Sequence, residues 1–96
     1  MDLKISNADG TVTIAVSGKL NTTTAPQFNT EIEKALDGAK SIVLDLKDLE
    51  FISSAGIRSI MIVRSRIGGD NVHIINAAGL VREVFEVSGI SSILEN

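Results

Sequence analysis

Hydrophobic and polar positions along this chain change their period several times, and each change marks a separate element. Residues 3–6 alternate weakly, and residues 7–10, NADG, form a turn cluster. Residues 11–17, TVTIAVS, then alternate strictly: Val12, Ile14 and Val16 fall on one side, Thr11, Thr13, Ala15 and Ser17 on the other. A two-residue period is that of a strand with one buried face. The two runs predict a hairpin, with Gly10 at a turn position that favours positive φ. Gly18-Lys19-Leu20-Asn21 leaves the strand. Thr24-Ala25-Pro26-Gln27 matches a capping box, with Thr24 as N-cap and Gln27 reaching back. Pro26 suits a first turn, where a missing N–H costs nothing. Phe28, Ile32, Ala35 and Leu36 repeat at helical spacing, Asn29, Glu33 and Asp37 face out, and Gly38 ends the helix.

The chain is organised around residues 42–67, IVLDLKDLEFISSAGIRSIMIVRSRI. Residues 42–46 are a nearly continuous apolar run, as expected for a strand central in a sheet. A short loop and the apolar pair Phe51-Ile52 lead to Ser53, Ser54, Ala55 and Gly56. A helical pattern over 54–67 follows, terminated by Gly68-Gly69. Residues 72–76, VHIIN, form another strand, so strand, helix and strand predict a βαβ unit with parallel strands. A third helix covers 80–87, with Leu80, Val81, Val84 and Phe85 as its core side and Gly89 after it. Residues 90–94 fit either an edge strand or a last turn. The expected fold is α/β: a single domain over 1–96 with a mixed four- to five-stranded sheet, an N-terminal hairpin and about three to four packed helices.

Composition narrows the function. The chain has 96 residues, enough for one core and one domain. Aromatics are 3%, with no Trp or Tyr, so there is little surface on which bases could stack. The formal net charge is −3 and no run of Lys and Arg forms a basic patch, which argues against a direct nucleic-acid partner. The absence of Cys removes disulfides, thiolate catalysis and Cys-ligated metal. The longest apolar run is too short to span a bilayer, and the first ten residues do not read as a signal peptide. A cytoplasmic protein without membrane contact is the expectation.

Candidate chemistry converges on the start of the central helix. His73 lies between Val72 and Ile74 in a strand and reads as structural or surface-exposed; with one His and no Cys, no zinc site is expected. There is no GxxxxGK[ST], no GxGxxG and no Gly-x-Ser-x-Gly, so nucleotide-loop and α/β-hydrolase chemistry fail at the motif level. Asp48 and Glu50 read as loop residues. Asp45 follows a strand, where α/β folds place ligand sites, and it is expected near Ser54 as either a turn anchor or a site residue. At roughly 100° per residue, Gly56, Ile57, Ile60, Val63 and Ile67 face the sheet, while Ser54, Arg58, Ile62 and Ser65 face out. Ile62 is either a stray exposed apolar residue or an anchor for a protein partner. Gly56 lies where the helix meets the strand end, and a Cβ there would either push helix and sheet apart or crowd whatever approaches Ser54. Ser53 and Ser54 are either a cap and a bystander, or include a phosphorylation site whose phosphate the helix N–H groups and dipole favour.

The run Asp45-Leu46, loop, Phe51-Ile52-Ser53-Ser54-Ala55-Gly56-Ile57-x-x-Ile60 resembles the signature of the STAS-domain anti-sigma factor antagonists. The resemblance extends to Gly18-x-Leu20-Asn21, Thr24-Ala25, Asn76-Ala77 and Val84-Phe85-x-Val87-Ser88-Gly89-Ile90, so it covers nearly the whole chain. It implies a non-enzymatic regulator of sigma-factor-dependent transcription, without cofactor. Unphosphorylated, it would bind an anti-sigma factor that is also a serine kinase. Phosphorylation at the start of the central helix would end the binding, and a PP2C-type serine phosphatase would reset it. The family motif is Asp-Ser-Ser-Gly with the first serine as acceptor. Alignment on Gly56 puts the acceptor at Ser54, with Ser53 in the aspartate's place and Ala55 in the second serine's; Ser53 is the competing acceptor. Asn21 stands where family members often carry Asp. The implied partner surface is Asn21, Thr22, Thr23, Thr24, Ser53, Ser54, Arg58 and Ile62, supported by Asp45 and Gly56. The alternatives are a non-switching STAS scaffold or transport-complex subunit, and a weak nucleotide-binding module using Asp45 and Ser54.

Overall fold

The computed structural model describes residues 1–95. The element order is β1 (Asp2–Ala8), β2 (Thr11–Leu20), α1 (Ala25–Leu36), β3 (Ser41–Asp45), β4 (Leu49–Ile52), α2 (Ser54–Ile67), β5 (Val72–Ile75) and α3 (Gly79–Val87). Short 3-10 turns follow α2 and α3, at Gly69–Asn71 and Ser91–Ile93. Strands β1 and β2 form an antiparallel hairpin, and β3 and β5 add in parallel to give the order β1-β2-β3-β5. Strand β4 pairs in parallel with the far end of β2. The expected α/β fold and mixed sheet are both present.

Register explains the burial. Val12, Ile14 and Val16 of β2 share a face with Ile42 and Leu44 of β3 and, across β3, with Val72 and Ile74 of β5. All seven are buried in one apolar cluster with Ala25, Phe28, Ile32 and Leu36 of α1 and Ile60 and Val63 of α2. Burying a Val, Leu, Ile or Phe contributes about 1.5–3 kcal/mol relative to leaving it exposed, so this cluster carries most of the fold. The α2 core face differs slightly from the expected one: Ser59 is buried, while Ile57 and Ile67 are only half-buried. Ser59 is accommodated because its hydroxyl donates to the Ala55 carbonyl, one turn back, at 3.2 Å.

Several expectations need correction. Strand β2 does not stop at Ser17. It runs on to Leu20 through a register shift between Gly18 and Lys19, where Gly18 takes φ +83°. The extra residue is on β4, where Glu50 has no partner on β2, and Gly18 opposite takes its left-handed conformation without the strain a Cβ would bring. Residues 49–52 form a strand rather than part of a loop. Thr24 makes no side-chain cap to α1, so the capping box is absent. Leu80 is exposed although Val81 and Phe85 beside it are buried, because α3 carries an apolar arc wider than the surface it covers. The tail takes the last-turn option, a 3-10 turn, and then makes one isolated parallel bridge from Leu94 to Ile74 rather than an edge strand.

Gly56 fixes how α2 meets the sheet. A Cβ built there would stand 2.7 Å from Ile52 Cγ1, 2.8 Å from Leu20 Cγ and 2.9 Å from the Leu20 carbonyl oxygen. Two of these neighbours are core side chains and the third is backbone, so none can move freely. Gly56→Ala is therefore expected to destabilise the fold by about 1–3 kcal/mol despite the better helix propensity of Ala. Urea unfolding reads this directly, and an unchanged midpoint would contradict the close approach.

Candidate functional site

The site forms where β2 and β4 end side by side. Leu20 and Ile52 are register partners, and the next amide, Ser53 N–H, donates to the Leu20 carbonyl at 2.9 Å. The chain after Leu20 and the chain after Ile52 are thereby held together. One leads into the 21–24 loop and the other directly into α2.

The 21–24 loop is locked by its own side chains. Asn21 Oδ1 accepts from the amides of Thr23 (3.0 Å) and Thr24 (3.1 Å). The Thr24 hydroxyl accepts from Asn21 N–H at 2.9 Å and donates to the Lys19 carbonyl at 2.8 Å. The Asn21 carbonyl accepts from Ala25 N–H at 2.8 Å. Thr24 thus closes the loop instead of capping the helix. Thr22 and Thr23 are left exposed, with Asn21 and Thr24 half-buried beneath them.

Ser53 is the N-cap residue of α2, in extended conformation, and Ser54 is the first helical residue. The Ser53 carbonyl accepts the first intrahelical bond, from Ile57 N–H at 2.9 Å, so the amides of residues 54–56 precede the helical ladder. The first turn holds no acidic residue. The two serines differ sharply. Ser54 is exposed, whereas Ser53 is half-buried and its hydroxyl is buried with no protein hydrogen-bond partner among the described residues. Arg58 and Ile62 follow Ser54 at four-residue spacing and are both exposed. Ile62 also borders a groove of about 220 Å³ between α1 and α2, with Asn29 and Ile32 opposite. Arg66 pairs with Glu33 across the same two helices.

The structure thus gathers the 21–24 loop and the N-terminal end of α2, with Ser54, Arg58 and Ile62 in one line. It does not bring Asp45 to them. Asp45 lies level with Ala15 on β2, whereas Ile52 lies level with Leu20. About 16 Å of strand separates those levels at 3.3 Å per residue. Asp45 Oδ1 instead accepts from Lys47 N–H at 3.0 Å and from Asn76 Nδ2 at 2.9 Å. It ties the end of β3 to the end of β5, and the 370 Å³ surface cavity that it lines includes neither serine. His73 Nδ1 lies 3.1 Å from Glu95 Oε1, far along the chain from the serines. Among the described residues no cluster of His, Cys, Asp or Glu could hold a metal ion, and no helix is long and apolar enough to cross a membrane.

Known proteins with this architecture match along almost the full chain. The family model described as Mlab, STAS domain, matches residues 3–95. BtrV of Bordetella bronchiseptica, named as an anti-sigma factor antagonist, is 36% identical over 97 residues, covering 97% of this chain and 83% of BtrV. This chain belongs to the STAS family of anti-sigma factor antagonists. Solved structures agree on the fold of this STAS domain. An anti-sigma factor antagonist from Mycobacterium paratuberculosis superposes with a TM-score of 0.86 at 21% identity, over 98% of this chain and 82% of that one. The antagonist SpoIIAA in its unphosphorylated form gives 0.82 at 20% identity, over 97% and 85%. The phosphorylated form of the Bacillus cell fate determinant SpoIIAA gives 0.74 at 19%, over 97% and 88%.

Phe51 was the site-proximal residue that the sequence pattern concealed. It reads as half of an apolar pair, yet in β4 only Leu49 and Ile52 are buried while Glu50 and Phe51 are exposed. No signal in the sequence marks it: Glu50 is the unpaired extra residue of the register shift, and the alternation that would turn Phe51 inward breaks there.

The unequal serines yield a prediction. Because the Ser53 hydroxyl makes no protein hydrogen bond, Ser53→Ala is expected to leave stability unchanged within about 0.5 kcal/mol or to raise it. Asn21→Ala removes the acceptor for two loop amides and is expected to cost about 1–2 kcal/mol. Unfolding curves for the two variants separate them, and equal midpoints would contradict the assignment of the loop to Asn21.

Proposed function

We propose that this STAS domain binds a kinase-type anti-sigma factor through the 21–24 loop and the Ser54, Arg58 and Ile62 line, and that phosphorylation of Ser54 ends the binding. The observation that carries this reading is the placement of an exposed hydroxyl, Ser54, at the first position of α2 in the middle of that surface. Ser53 is a poor competitor, since its hydroxyl is buried.

Magnitudes favour a switch of binding over a switch of folding. A phosphoserine adds nearly two negative charges. At the start of a helix these charges are stabilising by about 0.3–1 kcal/mol, so the fold stays intact. Covered by a partner without a compensating cation, a buried charge costs roughly 3–5 kcal/mol, enough to lower affinity by more than a hundredfold. A PP2C-type phosphatase would restore the neutral surface. The action would be cytoplasmic and would lie in association rather than catalysis.

A constitutive STAS scaffold or transport-complex subunit is the second reading. It draws on Ser53, which provides no carboxylate beside Ser54 to orient or activate an acceptor hydroxyl.

Incubation with ATP and a kinase-type anti-sigma factor, followed by peptide fragmentation, is expected to place one phosphate, on Ser54. Phosphate on Ser53 would keep the switch and move the acceptor. No phosphate from an active kinase would favour the scaffold. Ser54→Asp is expected to lose partner binding at unchanged thermal stability; wild-type affinity in that variant would contradict the charge mechanism.

A further inference from the structure

Helix α3 buries only half of its apolar arc. Val81 and Phe85 are in the core, while Leu80 is 63% exposed and Val87 82% exposed. Val84, half-buried, lies between them. At 100° per residue, positions 80, 84 and 87 form a single stripe about 60° wide. Phe51 of β4, 39% exposed, continues the stripe. Leu80 and Phe51 line one depression of about 500 Å³ with Lys19, Asn21 and Glu50. Leu80 also borders a second depression, of about 250 Å³, with Glu83, Val84 and Val87. An apolar ribbon therefore runs from Asn21 across Phe51 and Leu80 to Val87.

Scattered exposed apolar residues are ordinary, but three that share two adjoining depressions, with half-buried Val84 among them, form a patch. The patch is too small to hold a second copy of the chain by itself, since a standard interface buries about 800 Å² on each side. It needs a larger interface to belong to, and Asn21 supplies the connection: the same residue that orders the 21–24 loop lines the first depression. Charge narrows the occupant further. Glu50 and Glu83 border the ribbon against one cation, Lys19. An apolar segment carrying Lys or Arg beside it suits that rim.

We propose that Phe51, Leu80, Val84 and Val87 extend the partner-binding surface, and that the protein covering Ser54 also lays an amphipathic, basic-flanked segment along them. This rests on the reading of the Ser54 surface given above. The ribbon supplies affinity that phosphorylation does not touch, while Ser54 supplies the switch.

The test titrates a purified kinase-type anti-sigma factor, first shown to bind the wild-type chain, into three variants by calorimetry. Leu80→Ser/Val87→Ser is expected to weaken binding at least about tenfold, and Glu83→Lys about threefold. Ser54→Asp serves as the comparison. Wild-type affinity in both ribbon variants, with binding lost in Ser54→Asp, overturns the ribbon and leaves the switch standing. Full binding by all three overturns the Ser54 surface as well. Sedimentation of the chain alone is expected to give a monomer. A dimer dissolved by Leu80→Ser/Val87→Ser would make a second copy the occupant and overturn the proposal.

Discussion

The close approach of Gly56 to Leu20 and Ile52 is the constraint on which the site depends. A helix start must lie within contact distance of a strand carbonyl, and only a residue without Cβ permits it. That seating lets Ser53 N–H reach the Leu20 carbonyl. It places the exit of β2 and the entry to α2 side by side, so that the Asn21 loop and Ser54 belong to one surface. Remove the seating and the two halves of the site have no fixed relation.

The surface so formed is rigid by local bonding rather than by burial. The Asn21 carboxamide and the Thr24 hydroxyl satisfy the amides of residues 21, 23 and 24. A partner would therefore meet a pre-formed loop and lose little entropy on ordering it. On the proposed reading affinity and control occupy different places: control would sit on Ser54, where a modest stabilising interaction with the helix end coexists with a large penalty inside an interface. Affinity is expected from apolar contact at Ile62 and along α3.

Elements with a strong period were legible in the sequence: the hairpin from its two-residue alternation, α2 from its four-residue repeat and closing glycines. Gly56 could be read as a packing point because it falls on the helix face that also carries Ile60 and Val63. Strand β4 was hidden because four residues that read in, out, out, in have no alternation. Thr24 misled because a capping sequence does not say whether its hydroxyl turns towards the helix or back to Lys19. Asp45 misled because the position of a residue at a strand end says nothing of how far each strand extends; β2 runs past β3 by the length of its pairing with β4. Leu80 misled because an apolar arc shows what a helix could bury, not how much of it the neighbouring elements cover. The acceptor assignment came from family resemblance, since spacing alone leaves Ser53 and Ser54 equivalent.

The central claim is that phosphate changes the charge of a pre-formed surface and leaves the fold as it is. Amide chemical shifts and hydrogen exchange of the chain, carrying phosphoserine at position 54 or serine there, test it most directly. The account predicts shift changes confined to residues 20–25 and 53–62, with the exchange protection of β2, β3 and β5 unchanged. Loss of protection in those strands, or large shifts throughout α3 and β5, would show that phosphorylation remodels the domain and would contradict it.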